Sequence, residues 1–199
     1  MTTWLITVKP SYVFDPRIIH SRPVRLEYNS LEDRKPLKGN TVGSRSNIER
    51  AYIAGFLDGD GSIMLQLKTR SDTKRGYRFM ATICLYQDTR HDKSLHWIRK
   101  VLDAGYIAKR NDAITELRIN GFTTVQTILE QLRPFIRFKQ LQADAMITAC
   151  QILKSDIGML SKKQLLDVVD LILIIQNANY KAHRKRSKEE FLKILDLTP

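Results

Sequence analysis

The stretch Ile53-Ala54-Gly55-Phe56-Leu57-Asp58-Gly59-Asp60-Gly61 forces a change of backbone geometry within a few residues. Before and through it, Ile48, Ala51, Tyr52, Phe56 and Leu57 recur at helical spacing behind a Ser46/Glu49 capping-box pattern, which predicts a helix to about Asp58. After it, Ile63, Leu65 and Leu67 alternate with Ser62, Met64, Gln66, Lys68 and Arg70, the period of a half-buried strand. A helix therefore gives way to a strand through carboxylates set between glycines.

The unit then continues in the same style. Tyr77, Phe79, Ala81, Ile83 and Leu85 alternate with Arg78, Met80, Thr82, Cys84 and Tyr86, so that SDTKRG joins two antiparallel strands. A helix from about Asp92 to Leu102 places Leu95, Ile98 and Leu102 inward. A second hairpin follows over 106–110 and 114–120, turning at Asn111 and Asp112. Thr123 with Gln126 predicts another capping box, opening a helix that Pro134 ends, and further helices are expected near 139–154, 161–178 and 188–196. The fold class is therefore α+β, in the order αββαββα plus C-terminal helices. Its four-stranded antiparallel sheet is covered by helices on one face and open on the other.

Residues 1–46 read differently, with four prolines, eight lysines and arginines against four acids, and no sustained period. They are expected to form an extended basic arm, and 47–199 the domain. Across the chain 33 basic residues oppose 21 acidic ones, a net charge of +12 that attracts polyanions, nucleic acid ahead of an anionic membrane. No span reaches the roughly 18 apolar residues that cross a bilayer, so no membrane partner is expected. Cys84 and Cys150 lack the spacing of a zinc site or a disulfide scaffold, which suggests reduced thiols in an intracellular protein.

The open sheet face collects Gln66, Lys68, Arg70, Arg78, Thr82, Arg110, Glu116 and Arg118, long, polar and with a single acid among them. Such a face suits base edges and phosphates of double-stranded DNA. A strand of about ten residues spans roughly 33 Å, near the length of ten base pairs at about 3.4 Å each. Near the C-terminus Lys181, Arg184, Lys185, Arg186 and Lys188 cluster without an acid and are expected to touch the phosphate backbone.

The motif itself carries the chemistry. Ala54 and Gly55 are small enough to let a second helix approach, and Asp60 stands at a helix C-terminus, where the macrodipole opposes a negative charge unless a cation compensates. A calcium-binding loop is excluded, because Ile63 stands where such a loop needs glycine and Thr69 where it needs a bidentate glutamate.

At these residues the chain resembles the LAGLIDADG homing endonucleases, IAGFLDGDG matching the family's nine-residue motif. Two later segments, LYQDTRHD around Gln87 and LRPFIRFKQLQA around Lys139, are similar to the homodimeric branch. The resemblance implies metal binding by Asp60 with the carbonyl of Gly59, and catalytic support from Gln87 and Lys139. It also brings in His91, which stands where close relatives carry arginine or lysine, with Arg90 as its alternative. It further implies Mg²⁺ as cofactor, Mn²⁺ as a substitute, and Ca²⁺ as an ion that supports binding without cleavage. No second copy of the motif is present, so a homodimer is expected, with Ala54, Gly55 and Asp58 at its interface. The expected activity is double-strand hydrolysis of a long pseudo-palindromic DNA site. The alternatives are an intron maturase that binds its own intron RNA and a DNA-binding regulator without catalysis.

Overall fold

The computed structural model describes residues 47–72, 75–155, 159–179 and 185–197, so the arm at 1–46 and the Ser46 half of the first capping box lie outside it. The element order is α1 (Asn47–Asp60), β1 (Gly61–Thr69), β2 (Tyr77–Asp88), a 3-10 turn (Thr89–His91), α2 (Lys93–Leu102), β3 (Tyr106–Lys109), β4 (Ile114–Asn120), α3 (Phe122–Leu132), α4 (Gln140–Leu153), α5 (Lys162–Ala178) and α6 (Lys188–Ile194). The four strands form one antiparallel sheet in the order β1-β2-β4-β3. This is the α+β order expected from periodicity. Among the described residues no helix is long and apolar enough to cross a membrane.

Burial explains the layering. Ile63, Leu65 and Leu67 of β1, Phe79, Ala81, Ile83 and Leu85 of β2, and Leu117 and Ile119 of β4 share the helix-covered face and are each at most 5% exposed. Against them pack Ile53 and Leu57 of α1, Leu95 and Ile98 of α2, Val125 and Leu129 of α3, Met146 of α4 and Val168, Val169 and Ile172 of α5. Fully burying one such aliphatic side chain contributes about 1.5–3 kcal/mol. The core is thus a single layer between sheet and helices.

The junction of α1 and β1 sets the site. The helix runs two residues past the expected end, to Asp60, and the strand begins at the next residue. A Cβ on Gly61 would lie 2.6 Å from the carbonyl oxygen of Leu57 and 2.7 Å from its Cα. Only glycine allows the strand to leave the helix that tightly.

The Thr123/Gln126 capping box does not form. Gly121, at φ 103°, turns the chain from β4 into α3 before Thr123 is reached, so Thr123 sits inside the first turn, and Gln126 Nε2 donates to Glu130 (2.5 Å) instead. Among the described residues, capping boxes form at Ser161/Gln164 on α5 and Ser187/Glu190 on α6. The edge strand β1 is closed from outside, since Asn179 donates to the carbonyl of Ile63 (3.1 Å) and Arg186 to that of Leu67 (2.6 Å).

Gly61→Ala is expected to lower stability by about 1–3 kcal/mol through overpacking against the backbone of Leu57. Urea unfolding of the variant measures the loss.

Candidate active site and sheet interface

At the C-terminal end of α1 the two motif carboxylates part company. Asp58 is 9% exposed, and its side chain accepts from the backbone amides of Arg137 (2.7 Å) and Lys139 (3.0 Å). Asp60 is exposed at the helix end, with Gly59 beside it. Lys139 bridges the two, its ammonium donating to the carbonyl oxygen of Asp58 (2.5 Å) and lying within electrostatic reach of Asp60. Partial burial pushes the pKa of Lys139 below the ordinary lysine value, against the pull of both carboxylates. The arrangement sets one exposed acid next to one cation held without an ion-pair bond to it.

Two expected interface residues are relocated. Ala54 is fully buried in its own core, because it shares the inward side of α1 with Ile53, Leu57 and Asp58. Asp58 is engaged by the 137–139 segment, so neither faces outward. Gly55 does, on a stripe with Ile48, Tyr52 and Gly59, where a Cβ at Gly55 or Gly59 would meet nothing within 4 Å. Nearby in sequence to Lys139, Phe138 is 82% and Leu141 59% exposed.

Gln87 lies two residues past the Gly61–Leu85 rung of the hairpin, at the sheet end where α1 enters. Its Oε1 accepts from the Asp88 amide (2.9 Å). His91 is exposed at the end of the 3-10 turn, and Arg90 is held away as a partner of Asp88, with guanidinium bonds of 3.0 and 2.8 Å. The turn is pinned to β4, as Thr89 donates from its amide to the carbonyl of Ala113 (2.9 Å) and Thr115 from its hydroxyl to that of Thr89 (3.0 Å).

On the open sheet face the register joins Lys68 to Arg78, Thr82 to Asn120, and Arg118 to both Cys84 and Tyr106. Lys68, Arg70, Arg78 and Arg110 are exposed and Gln66 and Arg118 half-buried. Thr82 and Glu116 are not open: Thr82 is 1% exposed and donates to Asn120 (2.8 Å), and Glu116 is 7% exposed under the guanidinium of Arg118 (3.1 and 3.2 Å). Both lie on the two central strands, β2 and β4, and both are engaged by neighbouring side chains. Two acids missed from the sequence complete the pattern, Asp72 beside Arg70 (2.6 Å) and Asp112 beside Arg110 (2.9 Å). The Arg-x-Asp spacing across both hairpin turns was the available signal. Of the C-terminal basic cluster, Lys185 is exposed, Arg186 is spent on β1, Lys188 pairs with Asp170 (2.6 Å), and Lys181 and Arg184 lie outside the described residues.

Comparison with known proteins adds four similarities. The family model described as LAGLIDADG endonuclease matches residues 53–144. DNA endonuclease I-CvuI from Chlorella vulgaris is 38% identical over 93 residues, 47% of this chain and 58% of that protein, so the match spans under two thirds of its length. DNA endonuclease I-CreI from Chlamydomonas reinhardtii is 28% identical over 145 residues, 73% of this chain and 87% of that protein. The crystal structure of I-CvuI in complex with the I-CreI target superposes with a TM-score of 0.64 at 27% identity, covering 75% of this chain and 93% of that one.

The turn that carries His91 has a defined pH response. Arg90, by its guanidinium and then its amide, holds the Asp88 carboxyl below the usual carboxylate range. A folded pKa below the unfolded one means that this stabilisation is complete above about pH 4 and is lost as pH falls through the lowered folded value. The Arg90 amide proton shift is expected to stay flat from pH 7 down to about 4 and to move only in stronger acid. A midpoint at the ordinary carboxylate pH would remove the cap from the account.

Proposed function

We infer that this chain is a LAGLIDADG homing endonuclease, a site-specific DNA endonuclease that cuts both strands of a long pseudo-palindromic duplex as a homodimer. The observation that carries the reading is the pairing of exposed Asp60 with Lys139 at the end of α1, beside a basic sheet. An acid and a cation there suit phosphodiester chemistry, and the sheet suits a duplex.

The donor set fits a hard divalent cation. Asp60 and the Gly59 carbonyl offer oxygen only, and among the described residues no group of three acidic, histidine or cysteine side chains gathers. One carboxylate per protomer suits Mg²⁺, which binds few protein oxygens and keeps waters. When bound, Mg²⁺ supplies Lewis-acid charge beside the scissile phosphate. The chain's own residues do the rest. Lys139 places positive charge where the phosphate oxygens gain negative charge, and Gln87 and His91, at the strand end and the pinned turn, order solvent around the cut.

A second copy completes the site. The stripe Ile48, Tyr52, Gly55 and Gly59 runs along the outward side of α1 at helical spacing, with Ile48 81% and Tyr52 58% exposed, and the glycines permit close approach. Two such helices about a two-fold axis bring two Asp60 carboxylates together and give each sheet one half-site of about ten base pairs. Arg78, Lys68, Gln66, Arg110 and Arg118 would read or anchor that half-site.

Asp60→Asn is expected to keep duplex binding in Ca²⁺ and to reduce Mg²⁺- or Mn²⁺-supported cutting by about 10² or more. Gly55→Arg is expected to give a folded monomer by sedimentation that no longer makes double-strand breaks. Cutting by Asp60→Asn at the wild-type rate would sink the assignment.

A further inference from the structure

Asp58 is the motif acid that the proposed chemistry leaves unused, yet it is the more deeply placed of the two. Its position is electrostatically odd for its own helix. A carboxylate in the last turn of α1 faces that helix's negative end, which the macrodipole opposes. The compensation comes from elsewhere. Lys139, the residue that precedes α4, provides no side-chain cap for that helix, and the first turn of α4 holds no acid. Asp58 instead binds the segment that leads into α4, its two oxygens taking the amides of Arg137 and Lys139 just before that helix begins. Thus one carboxylate joins the end of α1 to the start of α4 across about eighty residues of chain.

The same segment carries the ammonium that reaches back to Asp58's own carbonyl and toward Asp60. We propose that Asp58 is a positioning residue, whose two amide bonds fix residues 137–139 so that the Lys139 ammonium stands beside Asp60. The inference rests on the endonuclease reading given above, and on three bonds that meet at a single residue. Loss of the carboxylate leaves the Asp58 carbonyl in place but frees the backbone from which Lys139 reaches it. Displacement of a charged group by about 1 Å is enough to cost up to about 10² in rate.

The test uses the full chain as wild type, Asp58→Asn, Lys139→Met and the double variant, on a duplex that the wild type cuts in Mg²⁺. Asp58→Asn is expected to slow single-turnover cutting about 10- to 100-fold while affinity for the same duplex in Ca²⁺ changes less than about threefold. In the Lys139→Met background the same change is expected to alter the rate less than about twofold, because the group it positions is gone. A purely structural acid would slow both backgrounds equally, and that result, or an unchanged rate in Asp58→Asn, overturns the proposal. Amide hydrogen exchange on the wild type provides a measurement that needs neither folding of a variant nor activity. Slow exchange at Arg137 and Lys139 supports the tether, and exchange as fast as in an open loop overturns it. A wild type that cuts no duplex would refute the endonuclease reading, and the exchange result would still decide whether Asp58 holds the segment.

Discussion

The pair of hydrogen bonds from the Arg137 and Lys139 amides to Asp58 is the contact on which the arrangement of the site depends. A buried carboxylate without partners carries a heavy desolvation cost, and a helix start without a cap leaves amides unsatisfied. Here the Asp58 carboxylate takes two amides of the segment that leads into α4. The result is a fixed distance between two helices that are remote in the chain, with Gly61 forcing β1 to leave from the same point. Sheet, first helix and fourth helix therefore meet at one corner, and that corner holds Asp60, Lys139 and, two residues past the first rung of the hairpin, Gln87.

Much of this was readable before any coordinates. Period-two alternation gave the inward residues of β1 and β2, helical spacing gave the core side of α2, and the helix expected near 161–178 is α5 (Lys162–Ala178). What escaped has a common cause. Ala54 looks like a contact residue because it is small, and only the position of the core shows that it faces inward. Thr82 and Glu116 have the right parity for the open face, but parity says nothing of which neighbours will engage them, and Asn120 and Arg118 do. Asp58 reads as an interface residue because its partners stand 79 and 81 positions away. Local pattern reports periodicity and conformation; it is silent on which distant amide a carboxylate will meet. The Thr123/Gln126 box failed for a nearer reason, since Gly121 had already turned the chain.

The sheet face also differs from a simple basic surface. Its arginines come with carboxylates: Arg70 with Asp72, Arg110 with Asp112 and Arg118 with Glu116. The two exposed pairs, Arg70–Asp72 and Arg110–Asp112, add little to stability, commonly under about 1 kcal/mol. Their geometry restricts side chains that would otherwise sweep through many rotamers. They also leave Lys68 and Arg78, adjacent across the first hairpin, as exposed cations of the same rung.

Those carboxylates act as an internal competitor. Any phosphate or base edge that engages Arg70, Arg110 or Arg118 must displace or share an acid already in place, so an arbitrary polyanion gains less from this face than the net charge of +12 suggests. A surface that holds its own counter-charges lets go of wrong sequences quickly. On the endonuclease reading proposed above, the same three acids would shorten the stay on any sequence that does not displace them.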